Sequence, residues 1–99
     1  MRIRFQRTGG FAGRSIQGSL DSSSLSEIQA RRLSELLEHA HFFELPVKLR
    51  SASPAADRFS YTVTVETESG SHTIEAGEAA IPPELRPLLD YLTRSLSAK

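Results

Sequence analysis

Apolar and polar residues alternate from the start of the chain. In MRIRFQR, Met1, Ile3 and Phe5 alternate with Arg2, Arg4 and Gln6, the period-2 pattern of a strand with one buried face. Beyond a glycine-rich segment, Ile16, Gly18 and Leu20 alternate with Ser15, Gln17 and Ser19, a weaker second strand closing a hairpin whose loop is Gly9 to Gly13. The period then lengthens. Across DSSSLSEIQARRLSELLEHA, Leu25, Ile28, Leu33, Leu36, Leu37 and Ala40 read as one helical face, and Ser24 with Glu27 reads as a capping box. Pro46 disfavours helical backbone at Leu45 and ends this helix, so Phe42, Phe43 and Leu45 are expected to fold under the domain.

A long loop of mostly small residues, VKLRSASPAAD, comes next. RFSYTVTVE is the clearest strand, with Phe59, Tyr61, Val63 and Val65 on one face and Ser60, Thr62, Thr64 and Glu66 on the other. Ser69-Gly70 marks a turn, after which His72, Ile74 and Ala76 line one face of a fourth strand. Pro82-Pro83 introduces a second helix with Leu85, Leu88, Leu89, Leu92 and Leu96 at helical spacing; Pro87 moves its regular part towards residue 86.

The order ββαββα predicts an α+β domain: a four-stranded antiparallel sheet with two helices packed on one face and a wet, polar outer face. A first helix of about 16 residues is roughly 24 Å long, which matches a strand of about seven residues. That match predicts that the helix C-terminus and Phe42 to Leu45 lie at the same end of the sheet as the Gly9 to Gly13 loop. The place of the 68–71 turn stays open.

Composition narrows the function. Ninety-nine residues suit a single domain, 1–99, and 12 basic against 12 acidic side chains leave no net field to favour nucleic acid or an anionic membrane. The chain has no cysteine, which excludes a disulfide framework, thiolate zinc sites and cysteine catalysis. No apolar run reaches the length of a signal-peptide core or a membrane span, so the expectation is a soluble, cytoplasmic protein.

No catalytic motif emerges. His39, His41 and His72 sit in no zinc-ligand spacing, and the first two are placed to meet the last carbonyls of the helix. DSSSLS lacks a G-x-S-x-G elbow and reads as a cap. Arg2, Arg4, Arg7 and Arg14 load the first hairpin while Glu66, Glu68, Glu75 and Glu78 load the second. Such segregation is read as cross-strand pairing on the wet face, or as a basic hairpin steered to an acidic partner. TGGFAG, residues 8 to 13, is the odd stretch, because glycines suit positive φ whereas a Phe belongs in a core. Phe11 either curls back over Phe5 or Phe42, or protrudes as an apolar anchor for a partner's pocket.

Taken together, TGGFAG, the F-F-x-L-P after the first helix, the D-R-F-x-Y before the third strand and P-P-E-L-R-P-L-L-D resemble the emfourin family along nearly the whole chain. The resemblance implies a non-enzymatic, cofactor-free protein inhibitor of thermolysin-like zinc metalloproteases such as protealysin, monomeric when free. It carries over no residue roles. The inferred contact set is Gly9, Gly10, Phe11, Ala12, Gly13 and Arg14, with Phe42, Phe43, Lys48 and Arg50 beside them if the shared-end argument holds. Three modes of inhibition follow. The 9–13 loop enters the cleft with Phe11 in the primed-side pocket and a backbone carbonyl facing the metal; or an acid such as Asp57 or Glu44 ligates the protease zinc; or the cleft is blocked without touching its chemistry. The competing class is a binding module that leaves proteolysis intact.

Overall fold

The structure, a computed structural model, describes residues 1–9, 15–49 and 59–97. A sheet is built from β1 (Arg2–Gly9), β2 (Ile16–Asp21), β3 (Lys48–Leu49), β4 (Phe59–Thr67) and β5 (Gly70–Gly77), with helices α1 (Glu27–Ala40) and α2 (Arg86–Ser97). The strand order is β2-β1-β4-β5-β3. The pairs β1–β2, β1–β4 and β4–β5 are antiparallel, but β3 runs parallel to β5. The sheet is therefore mixed and five-stranded rather than four-stranded and antiparallel, and the element order is ββαβββα. The added strand comes from the segment after Pro46 that composition assigns to a loop. Two residues carry no period to read, and the amide of Glu75 donating to the carbonyl of Val47 at 2.7 Å extends the pairing at its start.

Registry puts each apolar set on one face. Ile3 faces Leu20 and Val65, Phe5 faces Gly18 and Val63, and Val63 and Val65 face Ile74 and His72. Ile3, Phe5, Val63, Val65 and Ile74 are all buried, and against them pack Leu33, Leu36 and Leu37 of α1 and Leu88, Leu89 and Leu92 of α2. Leu85, just ahead of α2, is buried as well. No polar or charged side chain among the described residues is buried, so hydrophobic transfer dominates the core. Gly18 has a definite packing role. A Cβ there would lie 3.0 Å from Leu96 Cδ2, so the missing side chain lets the end of α2 settle closely on β2.

Three details depart from the sequence pattern. The capping box is one turn-start later than expected: Ser26 Oγ accepts from the Gln29 amide at 3.2 Å and Gln29 Oε1 accepts from the Ser26 amide at 3.1 Å. Ser24 instead closes a short 3-10 turn, Ser22–Ser24, capped by Asp21. Ile28 is 81% exposed and off the core face, because it lies five positions before Leu33 rather than three or four. At the other end His41 adopts the left-handed conformation (φ 50°) and its backbone amide, not its ring, meets the carbonyls of Leu37 and Glu38.

The largest departure concerns direction. Helix α1 begins beside Asp21 at the outer strand β2 and delivers Phe42 against His72 of β5, with ring centroids 5.6 Å apart. His72 faces Val65, which faces Ile3, so this is the end of the sheet that holds Arg2 and the 68–69 turn. Helix α1 crosses the strands instead of running back along one. Its 14 residues span about 21 Å, enough for the three inter-strand spacings from β2 to β5 (about 14 Å) as well as for the length of one strand. Length alone could not choose. Helix α2 crosses in the opposite sense, from the end of β5 to Gly18 on β2.

Two pairs of substitutions test this arrangement. Leu33→Ala is expected to cost about 2–5 kcal/mol in denaturant unfolding and Ile28→Ala less than about 0.5 kcal/mol. Ser26→Ala is expected to cost about 1 kcal/mol and Ser24→Ala measurably less. Equal losses within either pair would contradict the assigned helix face or cap.

Candidate interaction surface

The two ends of the sheet differ in what they present. At one end, Gly9 closes β1 with φ 114° and faces Phe59, the first residue of β4. Leu49, the last residue of β3, faces Ala76, and Ser60 faces Gly77 at the end of β5. Consequently the connections 10–15 and 50–58 both leave and rejoin the sheet at this end. The left-handed backbone of Gly9 starts the first of them, which explains the glycine.

Below these connections lies Arg7. It has the same parity as Ile3 and Phe5, faces Tyr61 and Ile16, and so stands on the core side of the sheet at its rim. Its guanidinium carbon sits 4.6 Å from the centre of the Phe59 ring. Arg7 lies diagonal to Phe59 across the β1–β4 pair, so its guanidinium reaches the ring while its charge stays at the edge of the core. This residue was grouped by charge with the other hairpin arginines, yet alternation alone separates it from them.

Arg2 and Arg4 pair on the outer face. Arg4 lies 3.2 Å from Glu66 and Arg2 lies 3.7 Å from Asp21. Cross-strand pairing therefore accounts for both arginines, and both contacts are open to solvent, where ion pairs add little. The carboxyl of Asp21 is held below its usual range, first by the backbone amide of Ser23 and then by its hydroxyl, with Arg2 adding a smaller effect.

The opposite end carries the aromatic cluster. Phe42 and Phe43 meet edge to face at 5.5 Å, and His72 Nε2 lies 2.8 Å from the carbonyl oxygen of Leu45. Phe42 is fully buried and so offers no surface for the inferred contact; Phe43 is 52% exposed and Val47 56%. Phe42 and Phe43 are not at the end of the sheet where Gly9 closes β1, as the shared-end argument expected, since about six residues of strand, roughly 20 Å, separate Ile3 from Gly9. Lys48 is exposed on β3 next to Leu49, on the side of Glu75, and so lies nearer the loop end. Glu44, weighed as a zinc ligand, is at the aromatic end, its carboxylate 3.7 Å from His41 Nδ1. Gly10, Phe11, Ala12, Gly13, Arg14, Arg50 and Asp57 lie outside the described residues. Among the described residues no group of three or more His, Cys, Asp or Glu is placed to hold a metal ion, and no helix is long and apolar enough to cross a membrane.

A family model, Emfourin, matches residues 5–93, from Phe5 in β1 to Thr93 in α2. The chain belongs to the emfourin family. Emfourins are an inhibitor family rather than a catalytic one, and membership suggests a protease-inhibitor role for this chain. Both connections at the loop end fall inside the matched region. No curated protein and no solved structure matches the chain.

The Arg7–Phe59 contact yields a prediction for the rim of this surface. A double-mutant cycle of Arg7→Ala and Phe59→Leu is expected to give a coupling of about 0.5–1 kcal/mol in unfolding free energy. A coupling near zero would mean that the ring and the guanidinium do not support each other.

Proposed function

We propose that this emfourin inhibits thermolysin-like zinc metalloproteases of the protealysin type, and that it does so with the loop end of its sheet. Residues 9–14 enter the substrate cleft, Phe11 fills the primed-side pocket and a backbone carbonyl faces the metal. The observation that carries this reading is the convergence of the 10–15 and 50–58 connections on one end of a packed sheet. A loop anchored on both sides by paired strands loses little freedom on binding, which favours a wedge-like inhibitor. Lys48 and Arg50 then flank the cleft from the second connection, Gly9 shapes the first, and Arg14 continues it.

The revised geometry also divides the inferred contacts. Phe43 belongs to the far end and is not part of the proposed contact, and Glu44 is too remote to ligate zinc while residues 9–14 occupy the cleft. The reading in which an acid ligates the zinc then rests on Asp57 alone.

Titration of the purified protein into a thermolysin-like protease, read by peptide cleavage, is expected to abolish activity at one inhibitor per enzyme. Binding without loss of cleavage would favour a regulatory module instead. Phe11→Ala is expected to weaken inhibition by about 2 kcal/mol or more with unfolding unchanged, as expected of a central apolar anchor. Phe43→Ala is expected to leave inhibition unaltered, and the reverse ranking would move the inhibitory surface to the aromatic end.

A further inference from the structure

Strand β2 forms one edge of the sheet. Its amide ladder can be assigned by parity. The Ser22 amide donates to the Met1 carbonyl at 2.9 Å, so Met1 and Ser22, which continue the register of Arg2 with Asp21, form a hydrogen-bonded pair. Such pairs alternate with non-bonded ones in antiparallel strands. Leu20, Gly18 and Ile16 therefore point their N–H and C=O groups at β1, whereas Gln17, Ser19 and Asp21 point theirs outward. No described strand lies beyond them, because β2 ends the strand order.

Natural sheets blunt such an edge with proline, lysine, a bulge or extreme shortness. The far edge does so: β3 has two residues, one of them Lys48. Strand β2, IQGSLD, has six residues and none of these devices, and its single charge, Asp21, is engaged by Ser23 and Arg2. The edge thus offers paired donors and acceptors with little side-chain selectivity, which suits an extended backbone of any sequence.

Resting on the inhibitory reading above, we infer that β2 pairs with an extended backbone segment of the protease. Position favours this occupant. Strand β2 starts immediately after the 10–15 connection, so a chain with residues 9–14 in a cleft carries β2 to the cleft wall. Any surface that covers the edge must replace the water on three outward N–H and three outward C=O groups. An unmatched group costs about 1–3 kcal/mol. A strand edge on the protease matches them all.

Amide hydrogen exchange reads the pairing directly. In the free protein Gln17, Ser19 and Asp21 are expected to exchange rapidly while Gly18 and Leu20 are protected; in the protease complex all five are expected to be protected, the first three by tenfold or more. Ser19→Pro removes an outward donor that makes no bond to β1, so it is expected to fold and to inhibit at least tenfold more weakly, whereas Ser19→Ala inhibits normally. Unchanged exchange at Gln17, Ser19 and Asp21 in an inhibited complex would overturn the pairing and leave the inhibitory reading standing. Protection of the same amides in the free protein on raising its concentration would assign the edge to a second copy and overturn it too. Failure of the wild-type protein to inhibit would defeat the inhibitory reading and the pairing together. Should Ser19→Pro not fold, exchange in the wild-type complex decides the matter alone.

Discussion

The pairing of β1 with β4 is the constraint on which the rest of the molecule depends. These two strands form the middle of the sheet, and their register sets Ile3 and Phe5 opposite Val65 and Val63 on one face. Side chains alternate with period two, so a slip by one residue would turn this buried set outward and bring Arg2, Arg4, Thr62 and Thr64 inward. With no buried polar group and no disulfide among the described residues, nothing else would hold the core together. The pairing joins residues from opposite halves of the chain, a non-local contact that carries a loop-closure cost before it returns any burial. It also decides where the chain reverses: Gly9 against Phe59 brings the 10–15 and 50–58 connections to the same end.

That arrangement gives the two ends different work. The end holding Arg2, Asp21 and Gly70 is knitted by short turns, ion pairs and the Phe42, Phe43 and His72 cluster, so its side chains are largely committed to the fold. At the loop end the described side chains are committed too, Arg7 to Phe59 and Tyr61 to Phe5. The proposed inhibitory reading uses this end because a protease cleft reads an extended chain, and binding residues are commonly carried on connections positioned by a scaffold.

The alternation in β1, β4 and β5 and the leucine spacing of both helices were readable because each of these elements has one face in the core. The period of such an element is the direct record of burial. Where burial leaves no period, the sequence is silent or ambiguous. Strand β3 is too short to alternate, and Ser24 with Glu27 and Ser26 with Gln29 offer the same capping pattern. The crossing of α1 could not be read at all, since helix length is enough for either direction over the sheet. Arg7 differs from these: its parity was visible, but charge grouping concealed it. The site fared likewise. The glycine-rich stretch stood out from local chemistry, whereas strand order decides its setting, bringing Gly9, Leu49 and Phe59 to one end of the sheet and leaving Phe43 at the other.

We propose that this emfourin engages a protease through the loop end of its sheet. Backbone amide chemical shifts, followed by NMR as an inactive thermolysin-like protease is added, test it most directly. The account predicts that the largest changes cluster at Gly9, Ser15, Leu49, Phe59 and Gly77, with Phe43, Val47, Gly70 and His72 little affected. Changes concentrated at Phe43, Val47 and His72, with the loop end unmoved, would contradict it.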